Sequence, residues 1–365
     1  MLRAQYRDLL EVTKDIEDAW RKQENDCEAF AQIVWERTTD LDLSAFGEIS
    51  NVPELLETAA IASLQIPSTF SDLYFKLYDN GKFWVEVLNW WGSDINVHDH
   101  NFAGVQFQLK GQSLNVVYSF EREIDTSGLA IGKLSIASAE CWNEGDRSIV
   151  MPGRIQPHNV SHLSVPTVSL LIRTHPNPAY GAQNNYLAPD VAGNYGVADI
   201  VFRKKVGALR LLANGHKDDF NRAFRQVLSH QNHTENLFTL LKMVDLLFAA
   251  EHVHLLHEYA LQGELEALLV RSVAYHRAQQ VLTNTIKYAP GLSQEEVLAV
   301  SVLSSAYSQT SLDEILKHLE ENGISLNMPS FIHEIDRKLD TNFRVQFHDS
   351  LNLLGIAYER EDQIA

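Results

Sequence analysis

The chain has 365 residues, of which 45% are hydrophobic and 21% are charged, and its formal net charge is -18. This composition is typical of a folded globular protein and excludes a disordered chain, and the length suits two domains of about 100 to 200 residues each. The negative charge argues against a nucleic-acid partner, because phosphate contacts need clustered Lys and Arg, and only 202–205 is locally basic.

Three further features concern the cellular setting. Cys27 and Cys141 are too few for a disulfide framework in so long a chain, which favours a reducing compartment. The N-terminal segment carries acidic residues throughout and lacks the apolar core of a signal peptide. No stretch approaches the roughly 20 apolar residues that span a bilayer. We therefore expect a cytoplasmic protein without a membrane partner.

The first part of the chain, residues 1–70, carries apolar residues at helical spacing. Leu9, Ile16 and Trp20 recur on one side of the first segment, and 51–65 has a proline near its first turn. We expect this region to form helices that pack on the domain that follows.

Residues 71–200 show the pattern of β-strands. Short segments rich in Val, Ile, Phe and Trp are separated by Gly, Asp and Ser turns. At least six such segments within one domain predict a sandwich or a barrel. The stretch 174–196, rich in Pro, Gly and Asn, is expected to be irregular chain.

Residues 201–365 carry apolar positions at i, i+3 and i+4, which predicts an all-helical domain. We find no catalytic pattern in it and expect it to pack, to form a homodimer or to bind a protein partner. One segment offers Glu251, His254, His257 and Glu258, of which His254 and Glu258 share a helix face. These four residues are a minor alternative metal or acid–base site.

The segment "INVHDHNFAGVQFQLKG" places two histidines on a predicted strand. Residues two apart on a strand project from the same face, so His98 and His100 point into one space and Asp99 points the other way. Imidazole is the commonest protein ligand for Zn, Fe, Cu and Ni. The pair needs a further donor, and "MPGRIQPHNVSHLSV" offers His158 and His162.

The order of these motifs resembles the two-part pattern of cupin barrels. "HDH", Gly111, Gly145, the "PG" of 152–153 and His158 follow one another in the family order, with looser spacing and without the family's Glu. The resemblance implies a cupin-type β-barrel, which is a jelly roll or double-stranded β-helix. Together with the helical patterns before and after it, we expect an α+β fold with N-terminal helices and a separate all-α C-terminal domain.

The missing Glu makes the chain similar to the cysteine dioxygenase type of thiol dioxygenase, in which three histidines hold Fe(II). The features are "NGKF", "NWWGSDINVHDH", "NVSH" and "PTVSL", within about 74–176. The resemblance implies iron ligands at His98, His100 and His158, with His162 as the competing third ligand. It favours Fe(II) over Zn, Ni, Cu or Mn, and it implies O2-dependent oxidation of a small thiol or other metal-chelating substrate.

Other positions of the family's site differ in this sequence. The substrate-carboxylate arginine falls near Lys76, which lacks the bidentate fork of a guanidinium. The Ser-His-Tyr relay falls on Ser169, Leu171 and Arg173, so only the serine is retained. The cysteine that is crosslinked to tyrosine has no counterpart near Gln106. The resemblance therefore extends to the metal ligands but not to most of the residues around them.

From these departures we derive the expected surroundings of the metal. Gln106 is expected to be an inward polar residue near the substrate, and Ser169 an outer-sphere residue. Lys76, Arg154 and Arg173 are candidates for binding an anionic group of the substrate. The alternative is a metal-binding cupin that senses or carries a small anionic ligand without catalysis.

Overall fold

The structure is a computed structural model. It describes residues 2–68, 71–92, 96–126, 128–194 and 200–358. It combines helices and sheets, with a closed barrel of six strands, a second sheet of five strands, and helical regions before and after the strands. The prediction of a β-barrel flanked by helices is confirmed.

The strands run in antiparallel pairs. In the described residues they are β1 (Leu73–Asp79), β2 (Phe83–Trp90), β3 (Val97–His100), β4 (Gly104–Lys110), β5 (Ser113–Thr126), β6 (Leu129–Trp142), β7 (Arg147–Val150), β8 (Gly153–His162), β9 (Thr167–Thr174), β10 (Asn184–Leu187) and β11 (Val191–Asn194). The five-stranded sheet has the order β1-β2-β9-β4-β7. The barrel has the order β10-β11-β6-β5-β8-β3, closed by the pairing of β10 with β3.

The helices lie in two groups. The first is α1 (Leu2–Lys22), α2 (Cys27–Arg37), α3 (Val52–Glu57) and α4 (Ala59–Ala62). The second is α5 (Ile200–Ala213), α6 (Lys217–Ser229), α7 (His233–Lys242), α8 (Val244–Leu247), α9 (Val253–Ala260), α10 (Glu264–Tyr288), α11 (Gln294–Ser305), α12 (Gln309–Glu321), α13 (Met328–Lys338) and α14 (Thr341–Leu353). Among the described residues, no helix has the length and apolar character needed to cross a membrane.

The five-stranded sheet has one apolar face and one mixed face. On β9, Leu170 and Ile172 join the apolar cluster that includes the N-terminal helices. Ser169, Leu171 and Arg173 alternate with them and line a cavity on the other side of the sheet. The two-residue period of a strand therefore lets β9 contribute to the core with one set of side chains and to the cavity with the other.

The barrel shares its apolar core with the C-terminal helices. One continuous cluster contains Leu114 and Val116 of β5 together with side chains of α10 to α14. Two buried tyrosines bridge the parts: the Tyr118 hydroxyl donates to the Ser305 carbonyl at 2.8 Å, and that of Tyr307 donates to the Leu134 carbonyl at 2.7 Å. The strands end at β11 and the helices resume at α5, but hydrophobic contacts continue across this boundary.

The prediction of irregular chain over 174–196 is wrong for two short segments. "NNYL" forms β10 and "VAGN" forms β11, and the two pair with each other. Asn, Ala and Gly are depleted in strands, so local propensity gives no signal here. The segments are strands because β3 and β6 offer hydrogen-bonding edges on either side of them.

Gly104 allows β4 to approach β9 closely, and we expect its replacement to destabilise the fold. A Cβ at Gly104 would lie 2.4 Å from the Ile172 carbonyl oxygen and 2.8 Å from the Arg173 Cβ. Gly104→Ala should lower the free energy of unfolding by about 1 to 3 kcal/mol, the usual cost of overpacking, measured by urea denaturation.

Gly207 in α5 provides the matched control. A Cβ there meets nothing within 4 Å, so Gly207→Ala should be neutral or raise the free energy of unfolding by up to about 1 kcal/mol. Equal effects of the two substitutions would contradict the close approach of β4 to β9.

Candidate metal centre

Three histidines converge where β3 pairs with β8. His98 lies directly opposite His158 in the register, and His100 is two residues further along β3. One ring nitrogen from each of the three lies within 4.8 Å of the others. In the part of the chain that the structure describes, this is the one group of three or more His, Cys, Asp or Glu side chains with such spacing.

Asp99, between the two β3 histidines, is held on the opposite face. Its carboxylate accepts hydrogen bonds from the backbone N–H of Asn184 at 2.8 Å, the side-chain amide of Asn184 at 2.7 Å and the hydroxyl of Tyr186 at 2.8 Å. All three donors belong to β10. Asp99 therefore ties the strand that carries His98 and His100 to its neighbour, and it leaves the imidazoles alone on the cavity side.

Hydrogen bonds orient two of the three rings. The Nδ1 of His98 lies 2.8 Å from the Asn96 carbonyl oxygen, which can only accept, so this nitrogen donates. The Nδ1 of His158 lies 2.9 Å from the Oδ1 of Asn115 and donates in the same way. In a neutral ring, each Nε2 then keeps its lone pair. Donation by the non-ligating nitrogen is the usual support of a metal-binding histidine.

The spacing of the nitrogens fits a metal ion. The Nε2 atoms of His100 and His158 are 2.9 Å apart. Two nitrogens at about 2.1 Å from one ion and at a right angle to each other lie roughly 3 Å apart. The Nδ1 of His100 is buried and has no hydrogen-bond partner among the described residues. The nitrogens of His100 and His158 therefore match two adjacent ligands of a metal that accepts imidazole, a class that includes Fe, Zn, Cu and Ni.

Burial keeps the imidazoles of His100 and His158 neutral. It lowers the pKa of His158 to about 3, with the neighbouring His98 adding to the effect. It also lowers the pKa of His100 well below its usual range, with His98, His158 and Arg173 contributing. Metal binding requires a deprotonated ring nitrogen, so at neutral pH these rings need lose no proton before they bind an ion.

The histidines form one wall of a cavity of about 520 Å³. This volume lies in the range of about 300 to 1,000 Å³ that is typical of small-molecule sites. The opposite wall is the mixed face of the five-stranded sheet. It contributes Glu86, Leu88, Trp90, Gln106, Ser169, Leu171 and Arg173.

Arg173 is the cation of this wall. Its guanidinium carbon lies 3.9 Å from the ring centroid of Trp84 and 4.1 Å from that of Phe102, and its Nε donates to Glu86 at 2.6 Å. None of the described residues accepts a hydrogen bond from its terminal nitrogens. Phe102 in turn contacts the ring of His100 at a centroid distance of 4.5 Å. Arg173 is thus fixed beside the histidines with donors left for a ligand.

Glu86 was missed by the sequence analysis, although it holds Arg173 in place. It is 1% exposed and also accepts from the Tyr74 hydroxyl at 2.8 Å and the Trp84 indole N–H at 2.6 Å. These donors satisfy a buried carboxylate that would otherwise be costly. A single Glu at an alternating position of the apolar segment "FWVEVLNW" is the signal that could have identified it.

Two of the expected anion-binding cations lie away from the cavity. Lys76 is buried, but its Nζ donates to Asp79 at 2.7 Å and lies 4.0 Å from the Trp84 ring centroid. Arg154 is exposed and pairs with Asp125 at 3.0 Å. Neither side chain lines the cavity. Of these three cations, Arg173 alone lines the cavity. Lys76 and Arg154 are paired with Asp79 and Asp125 elsewhere.

The remaining predicted residues lie around the cavity. Gln106 and Ser169 line it from the five-stranded sheet, and the indole of Trp90 donates to the Ser169 hydroxyl at 3.4 Å. His162 also lines it, stacked on Trp90 at a centroid distance of 4.6 Å, with Nδ1 3.1 Å from the Ser113 hydroxyl. His162 is not part of the three-histidine group, which contains His158 instead.

The alternative cluster on the helices is not assembled in the same way. Glu258 forms an exposed ion pair with Arg225 at 2.7 Å. Glu251, His254 and His257 do not form a metal-binding group with it among the described residues.

Comparison with known proteins does not assign the chain to a family. No protein-family model matches it, and no curated protein shows a significant match. A function for this chain therefore has to be inferred from the chemistry of its site.

We expect alanine at any of the three converging histidines to remove the metal. Each of three variants, His98→Ala, His100→Ala and His158→Ala, should lower Fe(II) affinity by more than about 100-fold. Loss of a residue that only supports a ligand already lowers metal affinity about 10- to 100-fold, and loss of the ligand itself should cost more. Anaerobic Fe(II) titration measures this. His162→Ala is the control within the same cavity and should keep the affinity. Equal loss in all four variants would contradict the assignment of His158.

Proposed function

We propose that this chain is a non-haem iron oxygenase of the cupin superfamily, similar to thiol dioxygenases. Its substrate is a small thiol or another metal-chelating molecule, and its oxidant is O2. The observation that carries the proposal is the convergence of three imidazoles at the wall of a substrate-sized cavity. A cupin jelly roll would account for this arrangement, because its HxH strand and the strand with the third histidine face a second sheet.

The donor set favours iron with a thiolate substrate. Three neutral imidazoles leave the charge of a divalent ion uncompensated, which favours an anionic ligand on the open positions. Bound iron would supply the redox chemistry by which a thiolate and O2 become a sulfinate. Both oxygen atoms then join the sulfur, so no further reductant is needed.

The chain's own residues exclude water near the histidines. Phe102, Val150 and Leu171 form a small apolar cluster, and all three line the cavity. An apolar wall lowers the local dielectric and strengthens each electrostatic contact with a substrate. It also limits side reactions with water.

Arg173 is the group that binds and orients an anionic substituent of the substrate. Its Nε donates to Glu86, its guanidinium lies over the rings of Trp84 and Phe102, and the residue lines the cavity. A guanidinium held in this way can donate two parallel hydrogen bonds to a carboxylate.

Oxygen uptake by the iron-loaded protein tests the proposed activity. A panel of small thiols, anionic and uncharged, is incubated with the protein in the presence of O2. We expect one O2 to be consumed for each thiol oxidised, with a mass gain of two oxygen atoms in the product and loss of activity in His158→Ala. An iron-loaded protein that binds the thiols but consumes no O2 would contradict catalysis and would favour the sensing or carrying cupin.

Substitution of Arg173 tests the anion-binding role. Arg173→Lys keeps a positive charge beside Glu86 but loses the two parallel N–H donors of the guanidinium. KM for anionic thiols should therefore rise about 10- to 100-fold, because a hydrogen bond to a charged group contributes about 1.5 to 3 kcal/mol. KM for uncharged thiols should change little. Arg154→Gln, at an exposed ion pair outside the cavity, is the matched control and should leave both values unchanged. A uniform rise for all thiols would contradict recognition of an anion by Arg173.

A further inference from the structure

The imidazole of His158 has a hydrogen-bonding neighbour at each of its ring nitrogens. Its Nδ1 lies 2.9 Å from the Oδ1 of Asn115, and its Nε2 lies 2.9 Å from the Nε2 of His100. A neutral imidazole carries a single ring proton, so one of these nitrogens donates and the other keeps its lone pair. Only the form with the proton on Nδ1 leaves Nε2, which lies beside the other histidines, free to bind an ion.

His100 does not decide between the two forms of His158. Its Nε2 is able to donate to His158 or to accept from it, since either ring nitrogen of a neutral histidine can carry the proton. Its Nδ1 is buried and has no hydrogen-bond partner among the described residues, so nothing at that nitrogen selects one role. The form of His158 therefore depends on its other neighbour, Asn115.

The side chain of Asn115 is able to support either form, because its amide has an accepting end and a donating end of nearly the same shape. With Oδ1 toward His158, the amide accepts the proton on Nδ1. With the amide turned over, its N–H group requires a lone pair on Nδ1 instead, which moves the proton to Nε2. Asn115 is 2% exposed, so water does not replace either contact. The ring proton of His158 thus follows the orientation of one buried amide.

Glu140 fixes the orientation of that amide. It lies directly opposite Asn115 in the pairing of β5 with β6. Its Oε1 accepts from the Asn115 side-chain N–H at 3.5 Å and from the Trp142 indole N–H at 2.8 Å. A carboxylate only accepts hydrogen bonds, so it favours the nitrogen of the amide on its side. The amide oxygen is then left for His158.

Glu140 does not line the cavity that contains the histidines. It is exposed and lines a separate cleft of about 530 Å³, to which Glu295 and Leu298 of α11 also contribute. The hydrogen-bonded series His158, Asn115 and Glu140 therefore runs from the three histidines to the edge of this second cleft.

We propose that Glu140 is a positioning residue of the metal centre: acting through Asn115, it holds His158 in the form that leaves Nε2 free for the metal. The effect on metal affinity rests on the proposed function, whereas the effect on the ring proton does not. Residues that support a ligand in this way typically change metal affinity by about 10- to 100-fold.

Reversal of the amide tests the proposal. Lysine offers only donors, so Glu140→Lys should turn the Asn115 amide over and move the His158 proton to Nε2. Long-range proton–nitrogen NMR correlation spectra of the metal-free protein report which ring nitrogen is protonated, and His158→Gln assigns the signal among the 15 histidines. Calorimetric titration of Glu140→Lys with Zn(II) should show an affinity about 10- to 100-fold below that of the unaltered protein.

A second substitution should restore the original form. Asn115→Asp replaces the amide by a group that accepts on both sides, so Asn115→Asp combined with Glu140→Lys should return the proton to Nδ1 and recover the Zn(II) affinity. Glu144→Lys, in the exposed turn after β6, makes the same change of charge and should alter neither measurement. Glu140→Ala removes the acceptor without adding a donor and should give a mixture of the two forms. It serves if Glu140→Lys fails to fold, as judged from its unfolding midpoint.

The possible results separate the positioning role from the metal centre. A His158 proton on Nε2 in the unaltered protein overturns the positioning role. A proton that stays on Nδ1 in both Glu140→Lys and Glu140→Ala, or that the double variant does not return to Nδ1, also overturns it. A proton that moves as expected in a protein that binds neither Zn(II) nor Fe(II) supports the control of His158 by Glu140 and contradicts the proposed metal centre. Zn(II) binding that is indifferent to Glu140 supports the metal centre and overturns the positioning role.

Discussion

The pairing of β3 with β8 is the constraint on which the site depends. It sets His98 opposite His158 and brings the Nε2 of His100 to 2.9 Å from that of His158. Three imidazoles this close repel one another when protonated, and burial adds to that cost, so the arrangement is stable only with neutral rings. Asp99 and Asn115 hold the strand and one ring in position by hydrogen bonds. The fold therefore brings together three histidines that could bind a metal, and burial keeps His100 and His158 in the neutral form that a metal needs.

The facing sheet contributes most of the polar side chains opposite the histidines. Because side chains alternate along a strand, β9 places Leu170 and Ile172 in the core under the N-terminal helices and Arg173 in the cavity. The buried Glu86 offsets the charge of Arg173 and holds its Nε. The same alternation on β8 places His158, Val160 and His162 along one wall of the cavity. The three histidines and Arg173 are thus on two different sheets, and their relative position depends on how the sheets face each other.

Much of this organisation could be predicted from local patterns. The HxH pair was placed on one face of a strand because the period of a strand is a local property, and the helical regions followed from apolar spacing in the same way. The resemblance implied His158 as the third donor with His162 as the competing ligand, and residue spacing alone does not decide between them. Their distance from His98 depends on register, which is a contact between segments some sixty residues apart in the chain.

By itself, the sequence determined the kinds of element, their order, and the residues able to bind a metal, because these depend on side-chain chemistry and short-range spacing. Tertiary structure alone decided that His158 joins His98 and His100. It also decided that Arg173 is the cavity's cation whereas Lys76 and Arg154 pair elsewhere. In the same way, low-propensity segments at 184–194 became the strands that close the barrel. The physical reason is the same in each case: strand register, ion pairing and edge hydrogen bonds are made with partners distant in the chain, and local propensity carries no information about those partners.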